Sequence, residues 1–98
     1  MPSVSRVGDT VSVHHCGVVP TASSGSSDVY TNNISTHRQG DANTAHPGVP
    51  APPCTNHVTT LSSGSSSVYV NGKQIARIGD SYGCGIALTQ GSGNVFAG

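Results

Sequence analysis

The sequence repeats itself, and the repeat constrains the fold more than any other feature. Residues 23–41 (SSGSSDVYTNNISTHRQGD) and 62–80 (SSGSSSVYVNGKQIARIGD) align without a gap at an offset of 39, with 11 of 19 positions identical. Ser-Gly runs alone read as flexible linker. A linker, however, has no reason to keep Val-Tyr-x-Asn followed by Arg-x-Gly-Asp at fixed spacing, so self-similarity takes precedence. A third unit is split. Arg6-Val7-Gly8-Asp9 supplies its back half, and Gly91 to Ala97 (GSGNVFA) supplies its front half. If those segments meet in space, one chain forms three units around a pseudo-threefold axis. Six of the eight charged residues are the Arg and Asp of the three Arg-x-Gly-Asp motifs; Asp28 and Lys73 are the others.

Each unit reads as a β-hairpin. Ser67 to Val70 is a β-favouring run, Asn71-Gly72 is a strong hairpin turn signal, and Lys73 to Ile78 alternates as a return strand. The first copy turns at Asn32-Asn33, residues that tolerate positive φ. The Arg-Asp pairs are expected at strand ends, where they can tie neighbouring strands. Composition agrees: twelve Val, fifteen Ser and nine Thr against two Leu and no Trp argue for an all-β chain rather than a helical bundle. Four basic residues balance four acidic ones, which excludes an electrostatic nucleic-acid binder. No apolar run approaches the ~20 residues of a spanning helix.

The loops between hairpins carry the candidate chemistry. His14 stands five residues after Asp9, His46 five after Asp41, and Cys84 four after Asp80. Under a threefold these side chains converge near the axis, and His57 in the long middle loop is a fourth candidate. Three imidazoles and a thiolate make a closed tetrahedral zinc site. A small, weakly apolar domain also needs a staple, commonly a metal or disulfides. His15 and His37 lack the repeated offset and are expected at the surface. Cys16 and Cys54 remain open as a disulfide pair, which leaves Cys84 over, or Cys16 as a ligand beside His14 and His15. Asp9, Asp41 and Asp80 read as turn residues rather than a catalytic carboxylate cluster.

These features resemble the PAAR-repeat family, whose members cap the spikes of contractile phage tails and type VI secretion systems. The family's name motif stands here in altered form as Gln74-Ile75-Ala76-Arg77 and Ser35-Thr36-His37-Arg38. It is followed by Arg77-Ile78-Gly79-Asp80 and Cys84-Gly85 in the family's frame. The resemblance spans essentially the whole chain. It implies an all-β, cone-shaped fold of three hairpin repeats, with residues 1–98 forming a single PAAR-repeat domain without an effector extension. It implies one zinc (iron is the other metal considered) on His14, His46, His57 and Cys84. The implied function is structural, not enzymatic: a membrane-piercing tip, one copy per trimeric β-helical spike, that meets the target cell envelope. Its place would be the central spike tip of a virion tail baseplate, assembled in the host cytoplasm, or a type VI apparatus that secretes it. Val68, Val70, Val95 and Phe96 are the residues expected on the base that the spike covers. The rival readings are a small zinc hydrolase, which would keep an open metal position for water, and a disulfide-stapled, receptor-binding adhesin.

Overall fold

The computed structural model describes residues 1–49 and 52–98. Among them there is no helix, and the only strands are six two-residue segments in three antiparallel pairs. β1 (Tyr30–Thr31) pairs with β2 (Ile34–Ser35), β3 (His46–Pro47) with β4 (Asn56–His57), and β5 (Tyr69–Val70) with β6 (Lys73–Gln74). The molecule is elongated, 39 × 23 × 23 Å.

The turns fall where the sequence puts them. Asn32 and Asn33 have φ of 55° and 66°, and Asn71 and Gly72 have 54° and 77°. Two successive positive φ values define the turn type whose twist matches a hairpin. The strands are shorter than the expected Ser67–Val70 and Lys73–Ile78. The ladder proper ends at Gln74, and although Ile75 N still bonds Val68 O, Ile75 also bridges Arg38 and Arg77 bridges Val4. Each return strand therefore turns from its own hairpin to pair with the neighbouring units, which closes the object.

The three hairpins are equivalent in their hydrogen bonds. Thr36 N donates to Val29 O, Ile75 N to Val68 O and Val4 N to Val95 O, at 2.9–3.1 Å. The last of these, with the Ser3–Phe96 bridge, builds the third hairpin from the two ends of the chain. Nearest the axis, three amides form a ring. Ser5 N donates to Ala76 O (3.0 Å), Ala76 N to His37 O (3.0 Å), and His37 N to Ser5 O (3.1 Å). All three residues are fully buried.

The Arg-x-Gly-Asp motifs are turns in all three copies. Asp9, Asp41 and Asp80 each donate N–H to the carbonyl of the Arg three residues earlier, at 3.0 Å. The Gly at the third turn position has φ of 92°, 87° or 93°, which a side chain disfavours. The carboxylate reaches back to its own Arg at 2.8–3.0 Å. The ion pair thus locks its own turn and does not itself tie neighbouring strands, as the sequence suggested. The cross-unit ties come from the same guanidinium groups: Arg6 donates to Asn32 Oδ1 (3.1 Å) and Arg38 to Asn71 Oδ1 (3.0 Å). Burial pushes the Asp41 carboxyl up, but the hydrogen bond and charge of Arg38 outweigh it and hold Asp41 below its ordinary value.

Two apolar clusters fill the interior. Val4, Val70, Ile75 and Ala97 pack among the hairpins, and Val11, Leu61, Ala76, Tyr82, Ile86 and Leu88 pack beneath the loops, with Cys84 against them. Two expectations are corrected here. Val70 is buried in the hairpin cluster, because its strand face points inward, and is not free for a partner. His37 is fully buried rather than superficial. It takes the axial position that Ser5 and Ala76 take in the other units. Its Nδ1–H donates to Ser24 O (2.7 Å), which leaves Nε2 to accept from the Tyr82 hydroxyl (2.7 Å).

Candidate metal centre

Three loops rise from the three Asp turns, each closed at its root by a bridge: Thr10–Thr21, Ala42–Thr60 and Ser81–Ala87. The first carries His14. The second carries His46 and His57, which are direct cross-strand partners in the β3–β4 ladder. The third is a tight turn, with Gly85 N bonded to Tyr82 O and Tyr82 N to Ile86 O, and it presents Cys84. The ligand atoms of His14, His46, His57 and Cys84 all lie within 4.8 Å of one another. His57 Nε2 is 2.9 Å from His46 Nε2 and 3.2 Å from His14 Nδ1, and Cys84 Sγ is 3.9 Å from His46 Nε2. A tetrahedral ion at about 2.0–2.1 Å from nitrogen and 2.3 Å from sulfur sets its donors about 3.3–3.6 Å apart. The group is therefore able to hold a metal ion once its widest separations, which reach 4.8 Å, close by about 1 Å.

Surrounding atoms prepare the donors. Nδ1–H of His46 donates to Thr44 O (2.8 Å), so the lone pair of Nε2 faces the cluster. Gly48 makes room for His57: a Cβ there would stand 2.6 Å from the ring. Partial burial, and then the neighbouring His15, His57 and His46, hold the His14 imidazole below its ordinary value. Asn43 Nδ2 donates to Thr59 Oγ1 (2.8 Å), which frees the Thr59 hydroxyl hydrogen for Cys84 Sγ at 3.3 Å.

Asn43, Thr59 and Gly48 were not singled out from the sequence. Asn43 did leave a signal. It stands two residues after Asp41, where the other units carry Val11 and Tyr82, so it is a buried amide at an otherwise apolar repeat position. The open question of the other cysteines resolves without competition: Cys16 and Cys54 form a disulfide, and Cys84 keeps a free thiol in the cluster. His15 is half-buried and stacks on His14 at 4.1 Å.

The family model described as PAAR motif matches residues 7–90 of the chain. No curated protein matches it.

Proposed function

Because this chain belongs to the PAAR-motif family, whose members are structural parts of contractile injection machinery, we propose that it is the metal-stabilised tip of a trimeric β-helical spike. In this reading residues 1–98 act as one domain, and His14, His46, His57 and Cys84 hold a single zinc ion. The zinc would supply cross-linking of three loops, not chemistry on a substrate. Four protein donors leave no open position for a reactive water, which favours the structural reading over a zinc hydrolase. The ligand loops would lead toward the target envelope, at the end of a phage tail or of a type VI apparatus.

The observation that carries the spike reading is the threefold equivalence of exposed apolar side chains on the hairpins. Val29, Val68 and Val95 are each 37% exposed, and Tyr30, Tyr69 and Phe96 are 57%, 55% and 48% exposed. Exposed apolar residues in a repeated arrangement suit a covered surface. A monomer with three equivalent patches suits a partner with three identical chains, since each contact is then used three times. Val68, Val95 and Phe96 stay in the proposed interface; Val29, Tyr30 and Tyr69 join them. Mixing the folded, metal-loaded chain with a trimeric β-helical spike fragment from its own system and measuring the mass of the complex tests this. One chain per trimer is expected. A 3:3 complex, or no binding, would overturn it.

A further inference from the structure

We infer that the Cys16–Cys54 disulfide is a positional lock on the metal centre, so that metal affinity and the redox state of this cysteine pair are coupled. The inference rests on the reading that the His-Cys cluster holds a metal. It starts from where the bond sits. Cys16 is two residues from His14, and Cys54 is three residues from His57. The bond thus joins the loop that presents one imidazole to the ladder that presents two, across 38 residues of sequence.

The first loop has little else to hold it. Its root is fixed by the Thr10–Thr21 bridge, by Val11 N to Pro20 O, and by Ser12 bonded to Ala87. Beyond Ser12, among the described residues, no backbone hydrogen bond joins residues 13–17 to another loop. Val13, Val18 and Val19 are about half exposed and belong to neither apolar cluster. Without the disulfide His14 would reach the cluster only by ordering a free loop, at the expense of that loop's conformational entropy. The third loop differs. Cys84 rides on a turn backed by the buried Tyr82 and Ile86, and needs no such bond.

Reduction by two thiols of the glutathione type breaks the Cys16–Cys54 bond. Each protein sulfur gains one electron and one proton, and the two reductant sulfurs join as a disulfide. Coupling is reciprocal: whatever the bond adds to metal affinity, bound metal adds to the resistance of the bond to reduction.

The test uses the full chain and zinc alone. Zinc affinity is measured by competition with a chromophoric chelator for the oxidised protein and for Cys16→Ser/Cys54→Ser. The expected loss is about tenfold to a hundredfold, the range typical for groups that position ligands. Equal affinity overturns the lock alone. No zinc uptake by the oxidised protein overturns the metal reading and the lock with it. A second measurement needs no variant: the reduced fraction of Cys16–Cys54 in thiol–disulfide buffers, with and without zinc. Zinc should move the midpoint to more reducing buffers. An unchanged midpoint overturns the lock. A shift toward easier reduction also overturns it, and assigns Cys16 and Cys54 as zinc ligands in the reduced chain.

Discussion

His37 shows how far one residue can depart from its repeat. The other two units place Ser5 and Ala76 on the axis, of which Ser5 takes one partner, Gln90 O, and Ala76 needs none, whereas His37 fills its position and binds Ser24 O and Tyr82 Oη. Nothing in its spacing announced this, because the repeat reports backbone path and not what fills the space beside it. Burial, opposed by the Ser24 hydrogen bond and by the charges of Asp41 and Asp9, holds His37 below its ordinary 6.5. The folded value is therefore lower than the unfolded one, and the unfolded chain binds the extra proton first. Stability from this residue is complete above about pH 6.5 and falls as the pH drops through the folded value. His37→Ala should cost about 3 kcal/mol at pH 8, by leaving a cavity and the Tyr82 hydroxyl unpaired, and less at pH 5. Denaturant unfolding of the metal-free chain at both pH values measures the difference; an equal cost at both would contradict it. Cys84→Ala probes the metal centre at the same scale. Metal content should fall below one per chain and the melting temperature with it, since ligation and folding are linked. The offset from each Asp made His14, His46 and Cys84 legible in sequence. Thr59 and Gly48 were not, because they act through a hydroxyl direction and an empty volume.

In the hairpins, the two kinds of glycine should respond differently to a methyl group. Gly72 sits at φ 77° with open space around its Cβ position, so Gly72→Ala costs only backbone strain, about 1 kcal/mol. Gly64 lies under the return strand, where a Cβ would come within 2.5 Å of Ile75 O; Gly25 and Gly91 meet Thr36 O and Val4 O at 2.7 and 2.8 Å. Those atoms are backbone and cannot swing aside, so Gly64→Ala should cost about 3 kcal/mol. Chemical denaturation of both variants gives the comparison, and equal losses would contradict the close approach. The hairpin turns were readable because Asn-Gly demands one geometry. Strand lengths were not, since alternation continues through Ile75 to Ile78 whether a strand keeps its partner or changes it. The β3–β4 ladder was equally silent: His46-Pro47 and Asn56-His57 carry no strand pattern.

For the whole molecule, the threefold set of exposed side chains leads to a prediction about symmetry. Tyr30→Ser, Tyr69→Ser and Phe96→Ser should each weaken binding to a trimeric spike by about tenfold to a hundredfold, the range of good interface anchors. The three losses should be similar, since under the proposed function each side chain would meet the same surface of an identical chain. Their melting temperatures should stay close to the parent's, because all three side chains are largely exposed. Calorimetric titration checks both, and a loss confined to one position would point to an asymmetric partner.

The axial ring has a consequence in time. Its amides come from Ser5, His37 and Ala76, and the Ser5 hydroxyl also reaches Gln90 O, 85 residues away. No neighbouring stretch of chain can close the ring alone, and the third hairpin needs Ser3 and Phe96 side by side. Contacts so distant in sequence make folding slow, because loop-closure entropy is lost before the contacts reward it. While the chain is being made, the segment around Ser5 can pair early with Thr36 and His37, but its other partners, Ala76, Arg77 and the Val95–Phe96 strand, arrive only near the end. The molecule then acquires its axis in one late step, with two finished hairpins serving as the template for the third.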